Sequence, residues 1–287
     1  MKKILVLTDL TEGSGQATEA AVMLSAKLHA NLILFNTFIS QPALSEYGGN
    51  PWYTEEILWE NEAKERLVAL KDDALQLVEG LAPEVHHASI ESRQGIGNLG
   101  LQVEDLIDKE NVEIVVMGAR TGSAWDHILM GSDTISVISH ADRPVLVVPA
   151  DHRLKQLTKV TIATDLDDPD LTAVHYLTRI GRLFDFAIEI VYVKIWGETS
   201  KEESRYNAFK KHVAKFNYPH ISHLEVSGKE LSSRLNGLCK AGGSDLLVLV
   251  HNKHSLLDRI LNKSHAKSLL EKQELPVMII PSALVIH

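Results

Sequence analysis

Short apolar runs rich in valine and isoleucine alternate along this chain with longer stretches whose apolar residues recur every third or fourth position. In the first half the short runs are Ile4–Leu7, Leu32–Phe35, Ile114–Met117 and Val145–Val148. They are too short for buried helices and mostly bounded by Asp, Gly or Pro, the pattern of strands covered on both faces. A more polar run near His86–Glu91, alternating His87, Ser89 and Glu91 with Ala88 and Ile90, suits an outer strand. Gln16–Leu28, Thr54–Leu81, Asn98–Lys109 and Ser132–His140 carry apolar residues at i, i+3 and i+4, which predicts helices. The alternating order implies an α/β fold: an open parallel sheet with right-handed crossovers and helices on both faces.

The order then repeats. After a polar linker around Asp151–Gln156, Val160–Ala163 is followed by Asp165 as Ile4–Leu7 is followed by Thr8 and Asp9. Ile188–Val193 parallels Leu32–Phe35, Leu246–Val250 parallels Ile114–Met117, and the Pro-flanked run 276–281 parallels the Pro-flanked run 144–149. A period this long signals duplication of a domain, not a solenoid. Two tandem domains are expected, 1–150 and 151–287.

The two halves differ in charge. Residues 1–150 carry 10 basic against 22 acidic side chains, and residues 151–287 carry 19 against 16, so net charges of −12 and +3 make up the total of −9. Phosphate-backbone binding needs clustered Lys and Arg, so nucleic acid is not an expected partner. The densest basic stretch, Lys201–Lys215, mixes signs as a solvated helix face does. Met1-Lys2-Lys3-Ile4 imitates the start of a signal peptide, but the apolar run stops at Asp9 and no small-residue cleavage site comes after it. No segment approaches the roughly 18 apolar residues of a membrane span, so a cytoplasmic protein without membrane contact is expected. The single cysteine, Cys239, lies in an apolar helical segment and reads as a packing residue.

In an open parallel sheet, ligands bind beyond the carboxyl ends of the strands where the strand order reverses. The residues there are Thr8-Asp9 after the first strand, Met117-Gly118-Ala119-Arg120-Thr121-Gly122 at the end of the fourth, and Gly131-Ser132-Asp133-Thr134 opening the next helix. Glycine lets backbone approach a ligand closely, and a helix N-terminus presents unpaired N–H groups to an anion. Such turns suit a phosphate, although Gly-Ser before a helix is also an ordinary cap.

Gly118, twelve intervening residues, then Gly131-Ser132, a helix and Pro-Val-Leu-Val-Val resemble the universal stress protein family, whose nucleotide signature is Gly-x2-Gly-x9-Gly-Ser/Thr and which also places an aspartate directly after strand one. The resemblance spans essentially the whole chain as two tandem copies. It implies five-stranded Rossmann-like, adenine-nucleotide α-hydrolase-like domains with strand order 3-2-1-4-5. It implies an adenine nucleotide, ATP or AMP with Mg²⁺ allowed for, held by Asp9, Thr37, Gly118, Gly131 and Ser132. Thr8, Met117, Asp133 and Thr134 flank that set. The family's second glycine falls on Thr121; Gly122 could supply the turn one residue later, and Arg120 could neutralise phosphate charge.

The second copy departs further. His251, His254, Ser264 and His265 stand at the positions of the three glycines and the final Ser/Thr, so this copy is expected not to bind ATP in the family manner. Three imidazoles could ligate zinc, but their spacing is inherited from the glycine motif, and no metal is expected. No P-loop is present. Gly13-Ser14-Gly15 reads as a loop entering a helix, and Ser92-Arg93-Gln94-Gly95 lacks the aspartate of a phospho-receiver. Trp52, Tyr53 and Trp59 could cover a ligand mouth or pack between the copies.

No nucleophile–base pair, paired carboxylates or metal-bound water can be argued. The expectation is a nucleotide-binding stress-response regulator with an unidentified protein partner, not a dedicated enzyme. Slow hydrolysis or autophosphorylation at Ser132 or Thr134 is one competing reading, and a nucleotide-free interaction protein with both sites decayed is the other. The resemblance also implies that Val145–Val148 and Val277–Ile280 pair antiparallel, making one chain a pseudo-dimer, with homodimerisation of two chains allowed for.

Overall fold

The computed structural model describes residues 1–11, 14–38, 51–119, 132–194, 200–227, 231–252 and 275–286, with backbone alone for 51–57, 59, 193, 194, 200, 201, 227, 231–234 and 236. The first half runs β1 (Lys3–Leu7), α1 (Ser14–Leu28), β2 (Asn31–Phe38), α2 (Pro51–Glu79), β3 (Ile90–Ile96), α3 (Leu99–Lys109), β4 (Val112–Gly118), α4 (Ser132–His140) and β5 (Val145–Val148). The second runs β6 (Lys159–Thr164), α5 (Asp168–Phe184), β7 (Ala187–Lys194), α6 (Ser200–Ala214), β8 (Ile221–Ser227), α7 (Leu231–Gly242), β9 (Leu246–His251) and β10 (Val277–Pro281).

These strands form one sheet in the order β3-β2-β1-β4-β5-β10-β9-β6-β7-β8. Each half therefore has the expected 3-2-1-4-5 order, and the two meet through their last strands. Val145 lies opposite Ile279, Leu146 opposite Met278 and Val147 opposite Val277, antiparallel as anticipated. All other pairings are parallel. The strands of one half thus point against those of the other, so the carboxyl edges of the two halves lie at opposite ends of the sheet.

Strand residues alternate faces, and both faces here are dry. Ile4, Val6, Leu32 and Leu34 pack with residues of α1, α2 and α5 in one core. Leu5, Leu7, Ile33 and Phe35 pack with residues of α3, α4 and α7 in the other. Each core draws on both halves, so the junction is continuous hydrophobic interior. Cys239 is fully buried in the second core, and burial pushes its thiol up to about 11, as suits a packing residue.

Two strands differ from the sequence reading. The third was expected near His86–Glu91, but β3 begins at Ile90 and runs to Ile96. The third strand of the second half, β8, had no apolar run to announce it. Both are sheet edges, where one side is open and charge discourages pairing with another chain. On β3, Arg93 reaches Glu110 and Glu91, both at 2.6 Å, while Lys3 reaches Glu110 at 2.7 Å. Arg93 holds the Glu91 carboxyl below the usual range, and Lys3, then Arg93, does the same for Glu110.

Candidate functional site

The strand order reverses between β1 and β4, and Leu7 lies level with Met117. The residues leaving the two strands, Thr8-Asp9 and Gly118, therefore emerge side by side. The loop after β1 is wired by its own side chains. The Leu10 N–H donates to Thr8 Oγ1 at 2.9 Å, and Asp9 Oδ1 accepts from the Thr11 N–H at 3.1 Å and from Thr11 Oγ1 at 2.7 Å. Ser14 Oγ donates to the Thr11 carbonyl at 2.7 Å and opens α1. Leu10 takes φ 60°, a left-handed conformation that a leucine adopts only when its surroundings fix it. The outcome is an exposed Asp9 carboxylate on a fixed turn.

From the other side, α4 brings its N-terminus to the same edge, because a crossover helix runs back against the strands it joins. Its position is set by α3. Asn98 caps α3 by accepting from the Leu101 N–H at 3.1 Å, and Ser136 of α4 donates to the same Asn98 oxygen at 3.1 Å. The helices touch so closely at Gly100 that a β-carbon there would lie 2.7 Å from His140 Nδ1. Ser132 is exposed at the helix start, Asp133 is half-buried, and Thr134 is buried. Thr37 sits near the end of β2, level with Gly95.

Thr8, Asp9, Thr37, Gly118, Ser132 and Asp133 thus share one sheet edge. Met117 lies there too, but its side chain is buried in the core beneath α3 and α4, leaving only backbone for a ligand. Burial of Thr134 leaves Ser132 as the accessible hydroxyl of the two. Arg120, Thr121, Gly122 and Gly131 lie outside the described residues, as do His254, Ser264 and His265. Two residues not named among the site candidates join the edge. Asn36, buried on β2, donates from Nδ2 to the Thr8 carbonyl at 2.8 Å, and Gln94 lies opposite it on β3. The available signal was phase: both fall where β2 and β3 would otherwise carry apolar residues toward α1 and α2.

The second half repeats the backbone and changes the wiring. Leu166, the counterpart of Leu10, also takes a left-handed φ, 66°, and its N–H donates to Thr164 Oγ1 at 2.8 Å. The donors here converge on Asp170, at the position of Ser14. Its Oδ2 accepts from Thr164 Oγ1 at 2.7 Å, the Asp165 N–H at 2.8 Å and the Asp167 N–H at 3.3 Å. Burial raises the Asp170 carboxyl above its usual range despite these bonds. Arg205 of α6 closes over the loop, donating to Asp167 Oδ1 at 2.9 Å. His251 ends β9 where the first half has Gly118, and its buried Nδ1 has no hydrogen-bond partner among the described residues.

Among the described residues, no group of three His, Cys, Asp or Glu side chains is placed to hold a metal, and no helix is long and apolar enough to cross a membrane. A cavity of about 760 Å³ lies elsewhere, lined by Met23, Leu77, Leu157 and Phe184 among others, and includes none of the edge residues above.

Fold and edge together define a tandem, doubly wound α/β protein. The model of the universal stress protein family matches residues 1–149, and the chain belongs to that family. A universal stress protein of Methanocaldococcus jannaschii is 24% identical over 147 residues, which are 51% of this chain and 81% of that protein. The crystal structure of a universal stress protein from Archaeoglobus fulgidus superposes over 97% of this chain and 96% of its own, at 16% identity and a TM-score of 0.71. At that identity the likeness shows the tandem fold alone. A universal stress protein solved in complex with cAMP overlaps 44% of this chain and 98% of its own, at 19% identity and a TM-score of 0.36, and transfers no contacts.

Proposed function

We propose that the first half, residues 1–150, binds an adenine nucleotide, ATP or AMP, and that the chain acts as a stress-response regulator through that occupancy. The observation that carries this reading is the convergence of Asp9, Gly118 and the Ser132 start of α4 on one edge at the strand-order reversal. Asp9 would orient the nucleoside. The Gly118 backbone and the N–H groups at the start of α4 would face the phosphates, where a helix N-terminus contributes about 0.3–1 kcal/mol per contact. A cation such as Mg²⁺ would arrive with the nucleotide. The second half, residues 151–287, serves as a structural or partner-facing half in this reading, and the protein works in the cytoplasm with a protein partner.

Releasing small molecules from the purified chain by heat, identifying them by mass, and titrating the emptied protein with ATP and AMP tests the proposal. A bound adenine nucleotide, or saturable binding on titration, supports it. Empty protein that binds neither leaves an interaction protein without a nucleotide.

A further inference from the structure

The cavity beside α1 draws its walls from both halves: α1, the end of α2 with the turns after it, the 154–158 linker and the end of α5. All of its lining residues are among those described, and its volume of about 760 Å³ lies in the range of small-molecule sites, which favour domain junctions. Met23 and Phe184 are half-buried on these walls, and Leu77 keeps 39% of its surface exposed. Leu81 and Val85, in the turns that follow α2, continue the apolar lining. Apolar side chains left open together in a concave patch mark a place for an apolar partner.

The chain's own bonds hold the walls in place. Arg153, at the start of the linker, reaches Glu19 of α1 at 3.7 Å. At the other end, the Thr158 N–H and Oγ1 both donate to Asp245 Oδ2, at 2.6 and 2.7 Å, and Leu154 and Leu157 between the two ties are buried. Past the end of α5, the Asp185 N–H donates to the Gly181 carbonyl at 2.7 Å. Walls ordered in advance lower the cost of binding.

Charge distinguishes the rim from the floor. Glu19 is matched by Arg153. Lys27 on α1 and Lys155 on the linker are exposed and have no ion pair or hydrogen bond among the described residues, which leaves two cations against Asp185 alone. From Glu19 to Lys27 the groove follows α1 for about 12 Å. An elongated apolar groove with surplus positive charge at its rim complements a molecule that is apolar along its length and anionic at one end.

We propose that this groove binds a free fatty acid, an unbranched alkyl chain ending in a carboxylate. The carboxylate meets Lys27 and Lys155, and the chain lies along Met23, Leu77, Leu81 and Phe184. The site is separate from the strand edge and does not rest on nucleotide binding there. Because both halves supply its walls, occupancy ties them together and raises the melting temperature.

Calorimetric titration of the full chain with octanoate, decanoate and dodecanoate, each below its micelle concentration, tests this. Affinity is expected to rise about threefold per added methylene. Decyltrimethylammonium, equally apolar and of opposite charge, should bind at least about tenfold more weakly than decanoate. Replacing both lysines, Lys27→Gln with Lys155→Gln, should cost about fivefold in decanoate affinity. Ala26→Phe, which puts a ring into the groove, should abolish binding. Leu77→Glu, a repelling charge at an exposed position, serves if the phenylalanine variant folds poorly. No binding of any of the acids, affinity independent of chain length, equal binding of the cationic amphiphile, or undiminished binding by a folded blocked variant overturns the proposal. So does a chain that sediments as a dimer and becomes monomeric with Leu77→Glu, because a second copy then fills the groove. Each of these outcomes leaves the nucleotide reading untouched.

Discussion

The turn after β1 and the turn after β6 share a backbone path, including a left-handed leucine in each, yet they spend their polar groups differently. In the first, Asp9 stays at the surface and holds its own loop through Thr11, and residues 60–66 of the helix above are not buried. In the second, a buried Asp170 gathers the loop donors, Arg205 covers the loop, and the stacked, buried Tyr192 and Tyr206 fill the space under α6. Duplicated backbone has been kept in both halves, and the side chains have turned one crevice outward and the other into core. What distinguishes a site from a scaffold here is where the polar groups find their partners.

The largest effects are expected where the second crevice is filled. Tyr206→Ala removes a buried aromatic from the stack and should cost about 3–5 kcal/mol of unfolding free energy in urea titration, with no gain of nucleotide binding. Binding gained by that variant would show the second site to be merely blocked, not lost. Next comes Asp170→Ala, which leaves one hydroxyl and two backbone N–H groups without their acceptor and should cost about 2–4 kcal/mol. Asp170→Asn keeps an acceptor oxygen and should recover most of that loss. Because burial raises the Asp170 carboxyl, its charged form weighs against folding as pH rises above the ordinary carboxylate range, and the asparagine variant should flatten that part of the pH profile.

A smaller effect contrasts the two aspartates directly. Asp9→Ala should weaken ATP binding by about tenfold, while Asp165→Ala should leave it unchanged, both measured calorimetrically. Equal losses would erase the difference between the halves. The smallest effect belongs to His223, beside the edge of the Tyr206 ring, with Lys210 over that ring's face. Burial, then Lys210, lowers its proton affinity below the ordinary imidazole value. The unfolded chain therefore takes the proton first, and stability present above about pH 6.5 is lost as pH falls through the folded value. His223→Phe should reduce the acid-side fall in melting temperature by only about 1–2 °C, since the imidazole keeps partial access to solvent.

The sequence revealed the interior strands well because burial on both faces forces continuous apolar runs, as in Val145–Val148 and Leu246–Val250. It hid β3 and β8 because an edge strand needs only one dry face and gains from charges such as Glu91 and Arg93. Thr8, Asp9, Gly118 and Ser132 were legible from position relative to strands and from the glycine spacing. Asn36 and Gln94 were not, because an amide near a strand end reads as a turn residue until register sets it beside its neighbours. Met117 was legible as a place on the chain and not as a side chain, which alternation sends into the core. The replacement of Ser14 by Asp170 was equally silent, since both residues are ordinary helix openers.

The antiparallel seam between β5 and β10 has a further consequence. Two separate chains joined along such a seam would come apart on dilution, and both partners would carry the same residues because one gene encodes each. Covalent connection through 151–158 holds the local concentration of one half around the other in the millimolar range or above, however little protein is present. It also frees each half to change without its neighbour changing in step. A single chain can then hold an acidic, open pole and a mildly basic, filled pole at opposite ends of one sheet. Self-assembly from identical copies could not produce that asymmetry.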